Sequence, residues 1–362
     1  MGSSRRSLKL GSSKKKKTTR RAKENLLDLP YDLLLLVISF LPLKDNIRAS
    51  TVCKKLQEAC VSVRVADKSP WLIYFTKTDD GSYELYDPSM QKSYNLESPE
   101  ITGFRVCYSK DGWLLMYNPN TQQLLFFNPF SRDRIPVPSL WMGYDQRMAF
   151  SCAPTSASCL LFTVVTDVTL KKITVKTCSP NAKEWTTTIF RERLPQNFDS
   201  FERILFANGV FFCLAESGCL SIFCPSSKTW SVLPGRAPKD IGNTGCFMTE
   251  HQGKIFLIYT YNHMSPTVLK LEDTRLEWTE MKTLGGLTIY ASPLSSESRA
   301  EQNQPSGIKN CLCLSVFHGF NKTCIYYNVG EESLIFFKWK KHDPYGNIWV
   351  MPPLNLLDLP FV

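Results

Sequence analysis

The sequence predicts a mainly-β protein: a β-propeller of about six blades, preceded by a small three-helix unit. Residues 26–65 are leucine-rich with a helical pattern, whereas short β-branched or aromatic runs bounded by turn residues fill residues 71–354. The long apolar runs recur at intervals of 42 to 56 residues, which is close to the spacing of propeller blades. Prolines fall between these runs, as expected for a residue that central strands exclude.

Residues 1–25 form a basic tail with ten Lys or Arg residues and one acid. The rest of the chain has 33 basic and 32 acidic residues, so the net charge of +10 belongs almost entirely to the tail. With little apolar surface to bury, the tail is expected to be disordered. Its cluster of cations predicts a nuclear-import signal, and the protein is expected in the nucleus, the cytoplasm or both. The alternative is a solvated basic tail that no import receptor binds. The candidate signal consists of Lys14, Lys15, Lys16, Lys17, Arg20 and Arg21.

Residues 26–65 are organised around a leucine-rich helix. Leu29-Pro30 opens it, because the N–H that proline lacks would be unpaired in the first helical turn. Residues 31–41 are apolar almost all round, so this helix must be covered on more than one side. Two further short helices follow, and so small a unit cannot bury this much leucine alone. The excess predicts a partner-binding face; a helical cap packed on the main domain is the alternative.

This segment resembles an F-box. The match consists of Leu-Pro, a leucine-rich helix, a short second helix and a Val-Cys-Lys sequence at residues 52–54. Two positions depart from the family pattern, Asn46 where Leu is usual and Leu56 where Trp is usual, and could weaken adaptor binding without changing the fold. The resemblance implies docking on a Skp-family adaptor. By matching motif positions, the contacts are expected at Leu29, Pro30, Leu33, Val37, Leu41 and Val52.

Residues 66–70 form a short polar linker, and the propeller is predicted to follow it. Long apolar strands are expected to begin near Trp71, Trp113, Leu160, Val210, Ile255 and Cys311. Asp111-Gly112, Asn208-Gly209 and Gln252-Gly253 precede three of them, as hairpin turns would. The body resembles the divergent kelch-related propellers that are joined to F-boxes in plant-type proteins. A pair of β-sandwiches is the alternative fold, which the regular period disfavours.

Two polar or terminal segments complete the chain. Residues 292–310 form a polar insertion that predicts a mobile loop projecting from one face. Residues 355–362 form a C-terminal tail in which Asn355–Pro360 repeats the letters of Asn25–Pro30. We interpret the repeat as coincidence, with a self-inhibitory mimic of the adaptor-binding segment as the alternative.

The sequence offers little support for catalysis or for metal and cofactor binding. The histidines His251, His263, His318 and His342 have no metal-binding spacing, and no phosphate-binding loop or nucleophile elbow occurs. The thirteen cysteines are scattered and are interpreted as small buried hydrophobes of a cytosolic or nuclear protein. The near-neutral body argues against nucleic-acid binding, and no apolar run is long enough to span a membrane. No cofactor is predicted.

The resemblance implies a non-catalytic substrate-receptor subunit of an SCF-type ubiquitin ligase complex. The F-box would bind a Skp-family adaptor and, through it, a cullin, while the propeller would hold an unidentified target protein. Two alternatives stay open: a ligase-independent scaffold or regulator with a degenerate F-box, and a propeller enzyme or small-molecule sensor. Acids or histidines clustered at the central channel would favour the enzyme, whereas an apolar or plugged channel would oppose it.

Overall fold

The helical unit consists of three helices around its own small core. The computed structural model describes residues 26–352, apart from residues 42, 67–68, 76–79, 89–90, 144–145, 192–197, 199, 238–244, 261–264, 273–275, 301–309, 316–324 and 337–346. A 3-10 turn, Leu26–Asp28, precedes helices α1 (Tyr31–Ser39), α2 (Leu43–Ser50) and α3 (Lys54–Ala66). The buried core contains Leu34, Ile38, Leu56, Ala59 and Cys60. Within the described part of the chain, no helix is long and apolar enough to cross a membrane.

The body is a six-bladed propeller, which confirms the predicted fold class. Blade 1 has, from inside to outside, β25 (Ile348–Val350), β1 (Trp71–Phe75), β2 (Ser82–Asp87) and β3 (Lys92–Glu97). Blade 2 has β4 (Arg105–Lys110), β5 (Trp113–Asn118), β6 (Gln123–Phe127) and β7 (Arg134–Val137). Blade 3 has β8 (Arg147–Phe150), β9 (Leu161–Asp167), β10 (Lys172–Cys178) and β11 (Thr186–Arg191).

The other three blades follow in chain order. Blade 4 has β12 (Phe201–Ala207), β13 (Val210–Ala215), β14 (Cys219–Cys224) and β15 (Thr229–Arg236). Blade 5 has β16 (Gly245–His251), β17 (Lys254–Thr260), β18 (Thr267–Leu271) and β19 (Trp278–Glu280). Blade 6 has five strands, in the order β21 (Ser295–Ala300), β20 (Leu287–Ser292), β22 (Cys311–Leu314), β23 (Ile325–Asn328) and β24 (Ser333–Phe336).

The hydrophobic core is divided among the interfaces between neighbouring blades. One cluster joins blades 1 and 2, and comparable clusters join each successive pair around the ring, including blades 6 and 1. In β1, Trp71 and Ile73 face blade 2, whereas Leu72 between them faces blade 6. Successive side chains of a strand point to opposite faces, so a strand between two blades needs an unbroken apolar run. This is why the run at residues 71–75 does not alternate with polar residues.

The last described strand closes the ring. β25 pairs antiparallel with β1, and Trp71 lies opposite Val350 while Ile73 lies opposite Ile348. The first and last strands of the propeller thus belong to one sheet. Closure of this kind leaves a propeller with only short, protected edges.

The predicted hairpin turns are confirmed. At all three positions, the glycine and the residue before it both have positive φ, for example 50° at Asp111 and 78° at Gly112. Two consecutive residues in this region are the mark of a type I′ turn, whose twist matches that of the flanking strands. Each turn joins the innermost strand of a blade to the next strand outward.

The polar insertion at residues 292–310 is not a loop throughout, and this prediction was wrong for Ser295–Ala300. These residues form β21, which pairs antiparallel with β20 along its whole length. Backbone hydrogen bonds hold this strand in the sheet, and its free edge faces the channel. It therefore needs no apolar run, and an apolar pattern could not predict it. β20 lies between β21 and β22, pairing with β22 in parallel, so β21 rather than β20 is the innermost strand of blade 6. Residues 301–309 lie outside the described residues.

Candidate functional site

Helix α1 has an apolar face on each side. Leu34 and Ile38 are buried in the core of the helical unit. On the other side lies a line of exposed apolar residues, which we call the outward stripe; it consists of Leu33, Leu36, Val37 and Phe40. The spacing i, i+3, i+4, i+7 puts all four on one side of the helix. Phe40 keeps 78% of its surface exposed, and contiguous exposed apolar surface of this kind marks a protein-interaction site.

The start of α1 is fixed by its neighbours. The carbonyl oxygen of Pro30 accepts the first helical hydrogen bond from the N–H of Leu34, at 3.0 Å. The ammonium group of Lys55 on α3 donates to the carbonyl oxygen of Leu27 at 2.6 Å and to that of Leu29 at 3.4 Å. These bonds tie the Leu-Pro segment to α3, so α1 presents the outward stripe in a defined direction.

The six predicted adaptor contacts do not share one environment. Pro30, Leu33, Val37 and Val52 are exposed, and Leu29 is half-buried. Leu41, in contrast, packs against the core of the helical unit. The prediction omitted Leu36 and Phe40, which are more exposed than Leu33. A helical period drawn from Leu33 would have found both, because they fall on the same side of α1.

The two departures from the F-box pattern lie inside the helical unit. Asn46 is only 3% exposed, and its amide nitrogen donates to the carbonyl oxygen of Cys60 at 3.5 Å. Its amide oxygen has no hydrogen-bond partner among the described residues. Leu56 is buried in the same core. Both substitutions therefore bear first on the stability of the unit rather than on its exposed surface.

The propeller has a second candidate site at one end of its central channel, which we call the channel mouth. Here a cavity of about 880 Å³ opens where the innermost strands of blades 2, 3 and 4 begin. The turn between β20 and β21 borders the cavity, and its Leu294 carbonyl accepts a hydrogen bond from the N–H of Ser109 in β4, at 3.0 Å. Blade 6 thus reaches blade 2 past the inner strand of blade 1, and this turn occupies part of the channel.

The charges at the channel mouth are unbalanced. Among the described residues that line the cavity, Arg105, Arg147 and Arg203 are basic and Glu202 is the single acid. The Glu202 carboxylate lies 2.6 Å from the Arg203 guanidinium and 3.6 Å from that of Arg147. Arg105 forms no ion pair with any described residue, so the mouth carries excess positive charge. Tyr108 also lines the cavity, and burial, with smaller contributions from Glu297 and Asp111, raises its pKa and keeps its hydroxyl neutral.

Other predicted features are placed only in part. In the portion of the chain that the structure describes, no three His, Cys, Asp or Glu side chains come together in a way that could hold a metal ion. Clustered acids or histidines at the channel would have favoured an enzyme. The described residues that line the cavity include no histidine and no cluster of acids. The candidate import residues Lys14 to Arg21 and the C-terminal tail, residues 355–362, lie outside the described residues.

Comparison with known families matches both parts of the chain. Residues 26–68 match the F-box domain, and residues 85–343 match the KIB1-4 beta-propeller. The chain belongs to the F-box proteins with a KIB1-4 β-propeller. The F-box of this protein includes all of α1 to α3, and its KIB1-4 propeller contains the channel mouth. An F-box domain indicates, in general, binding to a Skp-type adaptor.

Relatives in Arabidopsis thaliana align with this chain over most of their length. F-box protein At3g56470 is 71% identical over 337 residues, which cover 93% of this chain and 91% of the relative. F-box/kelch-repeat protein At1g57790 is 40% identical over 344 residues, covering 92% and 96%. F-box protein At4g00893 is 35% identical over 347 residues, covering 91% and 87%. Each of these alignments therefore includes both the F-box and the KIB1-4 propeller of this chain.

Proposed function

We propose that this protein is the substrate-receptor subunit of an SCF-type ubiquitin ligase complex. The F-box docks on a Skp-family adaptor that joins it to a cullin, and the propeller holds the protein to be ubiquitinated. The outward stripe is the observation that carries the proposal. It is an exposed apolar surface on the first helix of a segment that matches the F-box domain.

The outward stripe can supply the energy of docking. Burying one large apolar side chain contributes about 1.5–3 kcal/mol, part of which is offset by the loss of freedom on association. The four residues of the stripe already sit on a helix that packs on α3, so little further ordering is needed. A few such anchors usually account for most of the affinity of an interface.

In this role the protein is an adaptor and catalyses no reaction itself. By holding the target beside the ligase, it raises the local concentration of target lysines near the conjugating enzyme. The predicted location in the nucleus, the cytoplasm or both follows from the basic tail, and it remains a prediction. Fractionation of cells that express the chain with and without residues 14–21 would test the nuclear part.

The adaptor contact is tested by a double substitution on the outward stripe, Leu36→Ala with Phe40→Ala. Each truncated anchor should cost about 1–2 kcal/mol of binding energy, so the dissociation constant for a purified Skp-family adaptor should rise about 30- to 1000-fold. The matched control is Val168→Ala with Leu170→Ala, which removes two other exposed apolar side chains, both from blade 3. The control should leave the affinity unchanged.

The result of this titration decides between the proposal and its alternatives. An unchanged dissociation constant for the stripe variant would contradict the assigned contact. Adaptor binding that fails to recruit a cullin in co-purification would support the ligase-independent scaffold. Loss of both partners on deletion of residues 26–60, with retention by the full chain, would support the receptor.

A further inference from the structure

We propose that the channel mouth binds an extended peptide segment that carries at least two oxyanions, carboxylate or phosphate, beside an apolar side chain. The inference rests on the proposed function, since the segment would belong to the target protein. It names the part of the propeller that recognises the target and the chemistry that it recognises. The charge, the order and the shape of the cavity all favour such an occupant.

The positive charge of the channel mouth is local. The chain after residue 25 is almost neutral, yet three arginines and one glutamate line this cavity. They come from three different blades, with Arg105 at the start of β4, Arg147 at the start of β8 and Arg203 in β12. Guanidinium groups bind carboxylates and phosphates with two parallel hydrogen bonds, which makes arginine the preferred residue for these anions. A cavity with an excess of two positive charges therefore favours an anionic occupant.

Two of the three guanidinium groups are already held in place. Glu202 lies between Arg147 and Arg203, and the Nε of Arg203 also donates to the carbonyl oxygen of Cys246 at 2.6 Å. Groups that are ordered before binding lose less entropy when the ligand arrives. Arg105, which is exposed and forms no ion pair among the described residues, can give all its donors to the ligand.

The cavity also has the size and the apolar surface to hold a peptide side chain beside the arginines. A volume of about 880 Å³ is in the usual range of ligand sites, roughly 300–1,000 Å³. Trp141, which is 70% exposed, lines the cavity with Met142, and tryptophan is among the commonest anchors of protein interfaces. With the turn at residues 292–295 bordering the cavity, these residues offer an apolar contact beside the arginines. A segment with both acidic and apolar residues would use the whole surface.

Fluorescence anisotropy with labelled 12-residue peptides tests the proposal. One probe alternates Glu and Leu, a second has phosphoserine in place of Glu, and a third has Lys in place of Glu. The full chain, in buffer of physiological ionic strength, should bind the first or second peptide and not the third. The comparison of the first two identifies which oxyanion is preferred, and either preference supports the site.

Matched variants distinguish the channel mouth from the basic tail, which also attracts acidic peptides. Arg105→Gln should weaken binding about 10- to 150-fold, the loss expected when charge-assisted hydrogen bonds are removed. Arg191→Gln removes the same charge from the outer strand β11, where the side chain is exposed outside the cavity, and should have little effect. Trp141→Ala should weaken binding about 10-fold without changing the salt dependence, because it removes an apolar contact.

Equal losses in the Arg105→Gln and Arg191→Gln proteins would overturn the proposal, as would equal binding of the Lys peptide. The same Arg105→Gln protein should bind the Skp-family adaptor as well as the unaltered chain does. Peptide binding by a chain that does not bind the adaptor would keep the site and remove the ligase role. Adaptor binding without peptide binding would keep the ligase role and remove the proposed peptide site.

Discussion

Asn46 illustrates how a single residue can depart from a family pattern at a cost to stability. It is buried at a position where the F-box pattern has leucine, and its amide oxygen has no hydrogen-bond partner among the described residues. A buried polar atom without a partner costs about 1–3 kcal/mol, whereas a leucine of similar volume would have no polar atom to satisfy. The departure therefore weakens the core of the F-box, and the outward stripe is left intact.

We predict that Asn46→Leu stabilises the helical unit by about 1–2 kcal/mol, the cost of the unpaired amide that it removes. The measurement is amide hydrogen exchange of α2 and α3 in the full chain, which should slow. Gln57→Leu is the control, because Gln57 is exposed on α3 and a surface change of this kind is usually within about 0.5 kcal/mol of neutral. Faster exchange in Asn46→Leu would contradict the prediction and show that the Asn46 amide stabilises the helical unit.

At the scale of the element, type I′ turns join the innermost strand to the next strand outward in blades 2, 4 and 5. Gly112 and Gly209 occupy the same position in the turns of blades 2 and 4, with φ of 78° and 79°. Their surroundings differ. A Cβ atom added at Gly112 would lie 2.7 Å from the carbonyl oxygen of Met351, just after β25, whereas one added at Gly209 would meet no atom within 4 Å.

This pair separates backbone strain from a steric clash. Gly209→Ala should lower the free energy of unfolding by about 1–2 kcal/mol, the cost of placing a residue with a Cβ in the left-handed region. Gly112→Ala should cost that amount plus about 1–3 kcal/mol more for the displaced backbone of the closing strand. Urea denaturation of the two variants measures the difference. Equal losses would mean that the backbone after β25 moves aside without cost.

At the scale of the whole molecule, one three-residue strand holds the ring closed. Ile348, Trp349 and Val350 are all buried, and they contribute to the interfaces on both sides of blade 1. Each large buried side chain that is lost costs about 2–5 kcal/mol, and a domain is stable by only about 5–15 kcal/mol in total. Removal of this strand should therefore exhaust most of the stability of the propeller.

We predict that a chain ending at residue 346 fails to give a cooperative thermal transition and aggregates. A chain ending at residue 352 keeps β25 and should unfold cooperatively, close to the full chain. Differential scanning calorimetry and size-exclusion chromatography of both proteins provide the test. A cooperative transition in the shorter protein would show that the ring is stable without its closing strand.

Local patterns in the sequence determined which elements form. The apolar run at residues 71–75 and the Asn208-Gly209 dipeptide specify a strand and a turn, because strand burial and left-handed backbone depend on neighbours within a few residues. The same holds for α1, whose leucines indicate a helix that is covered on two sides. The period of the strands then gave the number of blades, since each repeat builds one blade.

Only the tertiary structure decided which of these residues face inward, outward or one another. Leu41 packs into the core while Phe40 beside it stays exposed, and Asn46 is buried although its side chain is polar. The polar residues of β21 form an innermost strand because their backbone pairs with β20. Arg105, Arg147 and Arg203 are about one blade apart in sequence and meet because closure of the ring brings the starts of successive inner strands to one channel. No pattern within a short window records such a meeting, and so the channel mouth appears only in the folded chain.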